Sequence, residues 1–159
     1  METLPDLLSE SARAWGGLLA VRLHDDKEPW AWTYAELLDT ACRTAAYMAA
    51  QGVARGDRVV FWGGNRPEWV AAFFGAQILG AVVIPIDVRS QEELLVRIEQ
   101  QTQPKHMFLG KEQAASLKAS HPPHTLFEEL RARLQSVAPL ALTASQPAQI
   151  GRASCRERV

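Results

Sequence analysis

The chain has 159 residues, enough for one domain with a hydrophobic core, and its apolar (47%) and charged (22%) fractions are those of an ordinary globular protein. A formal net charge of −1 gives no electrostatic basis for binding nucleic acid or an anionic membrane, so neither is expected as a partner. The two cysteines, Cys42 and Cys155, form neither a disulfide framework nor a zinc-binding pattern, which favours a reducing compartment.

The N-terminus does not have the pattern of a signal peptide. A signal peptide begins with basic residues followed by an apolar run, whereas this chain begins with Glu2 and Asp6. The longest apolar stretch, 69–84, contains Gln77 and two glycines, and it falls short of the roughly 20 apolar residues that a membrane span needs. The sequence therefore predicts a cytoplasmic protein without a transmembrane segment.

The first elements predicted in chain order are a helix at 5–14, a two-stranded hairpin at 18–23 and 30–33, and a longer helix near 34–51. Thr33 and Glu36 have the spacing of a capping box, in which each side chain accepts a hydrogen bond from the backbone amide of the other residue. Apolar residues at helical spacing follow the box. Gly52 supplies the left-handed residue that ends this helix.

The middle of the chain has the pattern of a strand–helix–strand unit. A strand at 58–62 is followed by Gly63–Arg66 and by Pro67, which suits the first position of a helix at 67–79. Because this helix is apolar nearly all round, it is expected to be buried on most sides. After Gly80, the strand at 81–86 is apolar without interruption, the pattern of a parallel strand covered on both faces.

The same alternation continues to about residue 136. Ser90 with Glu93, and Thr125 with Glu128, have capping-box spacing and predict helices at 91–102 and 125–136. A strand at 105–109 and a short helix at 111–119 lie between them, and 139–149 is a polar linker. The short links indicate right-handed crossovers, and so an α/β fold with a mostly parallel sheet and flanking helices.

The last ten residues, 150–159, differ from the rest of the chain. They add three arginines and one glutamate to an otherwise acidic sequence and have no apolar periodicity. The codons ATC GGA AGA GCG TCG TGT AGG GAA AGA GTG encode this decapeptide, and that DNA looks like a sequencing-library adapter read in frame. We therefore expect 1–149 to be a truncated native portion and 150–159 a non-native tail; a disordered basic C-terminus is the alternative.

Four motifs occur in order along the predicted elements: TYAEL at 33–37, GVARGDRV at 52–59, NRPEW at 65–69 and GAVVIPID at 80–87. This series resembles the start of the large N-terminal domain of adenylate-forming (AMP-binding) enzymes, which include acyl-CoA synthetases, luciferases and peptide-synthetase adenylation domains. The stretch from Gly80 to Ser90 is most similar to fatty acid–CoA ligases. The resemblance implies that the chain is the incomplete first part of that α/β domain.

The resemblance also implies an activity for the full-length parent, an ATP-dependent carboxylate–CoA ligase. A carboxylate, expected to be a fatty acid, attacks the α-phosphate of ATP, and the acyl group of the resulting adenylate then passes to the thiol of coenzyme A. ATP, Mg²⁺ and coenzyme A are thus the implied cofactors and substrates of the parent.

The family's phosphate-binding loop is not present in this sequence. That loop is rich in Ser, Thr and Gly, carries a lysine, and follows a strand introduced by residues like Pro147-Ala148-Gln149; here the adapter-like tail begins at that point. No catalytic, cofactor-binding or metal residue of the family is therefore assigned to this chain. The fragment itself is expected to be inactive.

Two local patterns have a chemical and a structural interpretation. Gly63-Gly64-Asn65 precedes a helix and could receive an anion, but it matches neither dinucleotide-binding nor P-loop spacing, which favours a simple turn. His121 and His124 flank two prolines without a third metal ligand nearby, which favours a solvated turn. Cys42 lies among alanines on a helix, and packing accounts for it.

A different class of function is also compatible with some of the acidic residues. Asp25, Asp26 and Asp87 are reminiscent of the acidic pocket of a phospho-acceptor receiver domain. Against this, the Asp25–Asp26 pair is predicted in a hairpin, and Lys105 begins a strand instead of closing one. A small stand-alone α/β binding or receiver-like signalling module is the alternative function.

Overall fold

The computed structural model describes residues 3–24, 30–118 and 120–142. The Asp25–Asp26 pair, the segment at 147–149 and the tail at 150–159 lie outside the described residues. The elements are α1 (Leu4–Trp15), β1 (Leu19–Leu23), β2 (Trp30–Thr33), α2 (Tyr34–Ala50), β3 (Arg58–Trp62), α3 (Pro67–Leu79), β4 (Val82–Ile86), α4 (Glu92–Thr102), β5 (His106–Leu109), α5 (Lys111–Ser116), β6 (His124–Leu126), α6 (Phe127–Arg133) and a 3₁₀ turn (Leu134–Ser136).

The strands form two sheets. β1 and β2 make the predicted antiparallel hairpin, and the other four strands form a sheet in the order β4-β3-β5-β6. All three pairings in the larger sheet are parallel. The predicted α/β fold with a mostly parallel sheet and flanking helices is therefore confirmed.

Helices cover the larger sheet on both faces. Successive side chains of a strand point to opposite faces. On β3, Val59 and Phe61 accordingly pack with α2, α3 and α6, whereas Val60 and Trp62 pack with α4 and α5. A third cluster joins α1 and the hairpin to α2 and α3.

The capping box predicted at the start of α2 is present. The Glu36 amide donates to Thr33 Oγ1 at 3.3 Å, and the Thr33 amide donates to Glu36 Oε2 at 2.8 Å. Trp32 and Leu37, on either side of the box, belong to the same apolar cluster. Gly52 follows the helix with a φ of +84°. A cap of this kind is worth about 1 kcal/mol to the helix.

The helix predicted at 67–79 is α3, and it packs closely on α2. Pro67 occupies its first turn, and Gly80 ends it in the left-handed conformation. A Cβ at Gly75 would lie 3.0 Å from the carbonyl oxygen of Ala41, so the two helices approach too closely for a side chain there. In the part of the chain that the structure describes, no helix has both the length and the apolarity to cross a membrane.

Two predicted capping boxes are wrong. The N-cap of α4 is Gln91, without a side-chain hydrogen bond, because the Ser90 amide is engaged with the Asp87 carbonyl in a preceding turn. The N-cap of α6 is Leu126, one residue after Thr125, whose hydroxyl is instead engaged with His106 and Tyr47. Both errors have the same reason: the spacing of a box is local, whereas Ser90 and Thr125 are engaged with other partners.

The edges of the sheet also differ from expectation. β4 is an edge strand, and its first three side chains are partly exposed instead of covered on both faces; Pro85 is exposed and Ile86 is buried. Edge strands tolerate proline because a missing N–H is less costly there. At the other edge, β6 has three residues and was not predicted. α5 ends at Ser116, before the predicted residue 119.

Candidate functional site

In open parallel sheets, ligands bind at the carboxyl ends of neighbouring strands whose connections diverge. In this chain those strands are β3 and β5. β3 leads into α3 on one face of the sheet, while its neighbour β5 leads into α5 on the other face. Connections that diverge in this way open a crevice outside the carboxyl ends of the strands. The residues at this point are therefore the first candidates for a site.

In this chain the crevice is filled. The Gly110 amide, after β5, donates to the Trp62 carbonyl at the end of β3 at 2.8 Å. A Cβ at Gly63 would lie 2.9 Å from the Gly110 nitrogen and 3.0 Å from the Phe127 ring. Glycine is thus required at position 63 for the two loops and α6 to meet, and no room remains between them for a ligand.

A network of ion pairs and hydrogen bonds also covers the carboxyl ends of β3 and β5. Arg66 donates to the Glu68 carboxylate at 2.9 Å and to Glu128 Oε1 at 3.0 Å. The second oxygen of Glu128 accepts from the Lys111 amide at 3.2 Å, which is the start of α5. Glu68 is buried, and the Arg66 guanidinium is the partner of its carboxylate. The network joins the starts of α3, α5 and α6, which points to a structural role.

An open cleft of about 460 Å³ lies beside the closed crevice, over the ends of β3 and β4. The Gly63–Asn65 loop and Trp69 form one wall, and the segment from Pro85 to Arg89 forms the other. The Trp62 indole donates to the Asp87 carbonyl at 3.1 Å and so fixes the second wall to β3.

The charged groups at the mouth of this cleft neutralise each other. Arg89 donates to Asp87 through its guanidinium at 2.9 Å and through its backbone amide at 2.9 Å. The side-chain hydrogen bond from Arg89, with the backbone one, lowers the pKa of Asp87 to about 2. Asp87 is therefore a carboxylate near neutral pH and is already partnered.

His121 is not in a solvated turn, and that prediction is wrong. Its side chain is 2% exposed and lies between two glutamates of α4, with Nδ1 2.7 Å from Glu99 and Nε2 2.9 Å from Glu92. His124, by contrast, is exposed. Within the described ranges no cluster of His, Cys, Asp and Glu is arranged to hold a metal ion.

His106 is a buried histidine that the sequence analysis missed. Its Nε2 lies 2.9 Å from Thr125 Oγ1, which lies 2.9 Å from the Tyr47 hydroxyl, and Nδ1 has no hydrogen-bond partner among the described residues. Burial, reinforced by the positive charges of His124 and Arg133, lowers the pKa of His106 to about 4. The one signal in the sequence was a histidine inside a predicted buried strand.

The described residues do not assemble the acidic pocket of a receiver domain. Asp87 follows the carboxyl end of β4, whereas Lys105 precedes the amino end of β5 and donates its amide to Arg58, the first residue of β3. Asp87 therefore lies at the carboxyl ends of the strands and Lys105 at their amino ends, on opposite sides of the sheet. Cys42 is buried, as packing predicts, and burial raises the pKa of its thiol.

Fold and site together define an open α/β domain with a parallel sheet covered on both faces. The chain matches the model of the AMP-binding enzyme family over residues 8–151, and it belongs to this family. The resemblance drawn from the four sequence motifs is thereby confirmed.

Individual relatives agree with this assignment. The chain is 32% identical over 121 residues to a (7a-methyl-1,5-dioxo-octahydro-1H-inden-4-yl)propanoyl:CoA ligase of Rhodococcus jostii, covering 73% of this chain and 23% of that protein. It is 44% identical over 57 residues to the long-chain-fatty-acid–CoA ligase FadD13 of Mycobacterium tuberculosis, covering 36% of this chain and 11% of that protein. The solved N-terminal domain of FACL13 from Mycobacterium tuberculosis matches with a TM-score of 0.80 and 27% identity, covering 92% of this chain and 39% of that domain.

The family implies ATP, Mg²⁺ and coenzyme A, and the described residues do not fit the ATP phosphates. The crevice at β3 and β5 is filled, and the Gly63–Asn65 loop lacks phosphate-binding spacing. The one cation among the cleft-lining residues, Arg89, is paired with Asp87. No step of adenylation is therefore assigned to these residues.

Proposed function

We propose that this chain is the opening part of the N-terminal domain of an ATP-dependent carboxylate–CoA ligase. In the whole protein a carboxylate oxygen attacks the α-phosphate of ATP, pyrophosphate leaves, and the acyl group of the adenylate passes to the thiol of coenzyme A. The observation that carries the proposal is the family match over 8–151, on a chain that superposes on the FACL13 N-terminal domain over 92% of its length with a TM-score of 0.80. The similarity to FadD13 supports a fatty acid as the carboxylate.

Within that protein, the chain has the role of a scaffold. The Arg66 network and the Gly63 contact hold the carboxyl edge of the sheet closed, so this edge supports neighbouring segments instead of binding phosphates. A developing phosphoryl charge needs backbone N–H groups and a fixed cation, which we place outside this chain. We likewise propose 1–149 as the native portion, 150–159 as a non-native tail, and no catalytic, cofactor-binding or metal residue in either.

The test is a chimera in the fatty acyl-CoA synthetase of Mycobacterium tuberculosis. Residues 8–142 of this chain replace the matching segment of that enzyme, and pyrophosphate release is measured with ATP and a fatty acid. We expect release that depends on both substrates, and none above the blank from the 159-residue chain alone. A control chimera with Gly75→Leu should lose activity, because leucine cannot fit between α2 and α3.

Two results would contradict the proposal, and they concern different parts of it. A chimera that folds, as judged by a cooperative thermal melt, but releases no pyrophosphate would contradict the family role of this segment. Substrate-dependent release by the 159-residue chain alone would contradict the placement of the chemistry outside it.

A further inference from the structure

We propose that His121 is a pH-sensitive latch that fastens the connection between α5 and β6 to helix α4. The inference is independent of the proposed function, because it depends on contacts within the described fold. The imidazole ring lies between Glu92 and Glu99, with its two nitrogens 2.9 Å and 2.7 Å from their carboxylate oxygens. The Lys118 amide donates to the same oxygen of Glu92 at 2.8 Å.

The two glutamates are spaced along α4 so that both carboxylates reach the His121 ring. Glu92 and Glu99 lie seven residues apart on α4, which places them on one face two turns apart. Their side chains are 15% and 14% exposed, and that of His121 is 2% exposed. The ring therefore fills a gap between two partly buried carboxylates that are two turns apart on the helix.

Both contacts form together only when the ring is protonated on both nitrogens. A carboxylate accepts hydrogen bonds, and a neutral imidazole has one N–H, so it can donate to one of the two glutamates. The imidazolium donates to both, and each bond is charge-assisted. The charged groups that face the ring are Glu92 and Glu99 from α4, while its own segment contributes the backbone amide of Lys118. Burial lowers the pKa of His121, but hydrogen bonds and charge from the two glutamates raise it more, so it lies above the ordinary 6.5.

The direction of the switch follows from that raised pKa. Opening the latch releases a proton, so the closed form is fully favoured below pH 6.5 and weakens as the pH rises toward the pKa of the closed form. Each pH unit in that window raises the opening constant by up to about tenfold. Above it, the connection is held to α4 by fewer hydrogen bonds.

The latch is connected to the Pro85–Arg89 wall of the open cleft. Glu92 is the first residue of α4 and lies three residues after Arg89, the last residue of that wall. A second tie runs from Gln113 of α5 to the Val88 carbonyl in that wall at 3.4 Å. Opening the latch is therefore expected to loosen the wall as well as the connection.

Hydrogen–deuterium exchange of the 159-residue chain, read by mass spectrometry from pH 5.5 to 9, tests the latch. Exchange at the histidine C2 position should give His121 a pKa above 6.5. The exchange rate of the Lys118 amide, corrected for its intrinsic pH dependence, should rise by up to about tenfold per unit from pH 6.5 to that pKa. Titration of His121 at or below 6.5, or a corrected rate that does not change with pH, would overturn the proposal.

Two variants and a control sharpen the test. His121→Gln offers no second protonation state, so the pH dependence at Lys118 should vanish. Glu99→Gln keeps the shape of the site but removes one charge, so the pKa of His121 should fall. His124→Gln, an exposed histidine of the same segment, should leave both readings unchanged. Should His121→Gln fail to fold, the wild-type titration and Glu99→Gln still decide the matter.

Discussion

Acidification should destabilise this fold through His106. The ring is 1% exposed at the start of β5, and its pKa is about 4 against an ordinary value of 6.5. The unfolded chain therefore binds a proton at a higher pH than the folded chain does. The contribution to the free energy of unfolding is complete above pH 6.5 and is lost as the pH falls toward 4.

The size of the loss follows from the two pKa values. A difference of one bound proton changes the free energy of unfolding by about 1.4 kcal/mol per pH unit, so the interval from 6.5 to about 4 corresponds to about 3 kcal/mol. About 2 kcal/mol of this is already lost between pH 7 and pH 5. His121 acts in the opposite direction above pH 6.5, because its pKa is raised, but it is present in both wild type and His106→Gln and cancels in their difference.

Urea titrations at pH 7 and pH 5, followed by the fluorescence of the five tryptophans, measure the effect. The difference in unfolding free energy between wild type and His106→Gln should change by about 2 kcal/mol between the two pH values. His24→Gln, which removes an exposed imidazole beside the hairpin, serves as the control and should follow wild type. Parallel pH dependences for wild type and His106→Gln would refute the argument.

Three further comparisons test the packing and the caps by urea titration. Gly63→Ala should destabilise by about 1–3 kcal/mol, because its methyl group would meet backbone at 2.9 Å; Gly64→Ala, with open space around it, should be near neutral. Thr33→Ala should lose about 1 kcal/mol with the capping box, while Ser90→Ala should have no effect, since Ser90 caps no helix. Thr125→Val leaves the buried His106 without its hydrogen bond and removes the contact with the half-buried Tyr47, which should cost about 1–3 kcal/mol; a neutral result would contradict that network.

The elements that were predictable from the sequence are those whose ends are set by local chemistry. Gly52 and Gly80 adopt positive φ after their helices, and Pro67 starts α3. Each of these residues restricts or frees its own backbone, so its effect does not depend on the rest of the fold. The Thr33 box belongs to the same group, because its two hydrogen bonds span three residues.

The features that were mispredicted depend on contacts between distant residues. Thr125 has the spacing of a helix cap, but it bonds to Tyr47, 78 residues away, and to His106, 19 residues away. His121 reaches Glu99 and Glu92 across 22 and 29 residues. A local pattern carries no information on which distant group will satisfy a polar side chain, so propensity for a turn or a cap was outweighed by burial.

The closed carboxyl edge could not be predicted for the same reason. The general rule places a ligand crevice where connections diverge, between β3 and β5. Here that point is occupied by Phe127 and by an ion pair between Arg66 and Glu128, which lie 62 residues apart in the chain. Each partner looks like an ordinary surface charge in the sequence, and only the pairing of β5 with β6 brings α6 over the gap. The topology of a fold thus sets where its ligand crevice lies, whereas a few side chains decide whether the crevice is open to a ligand. Whether it is open has to be established separately for each member of a family.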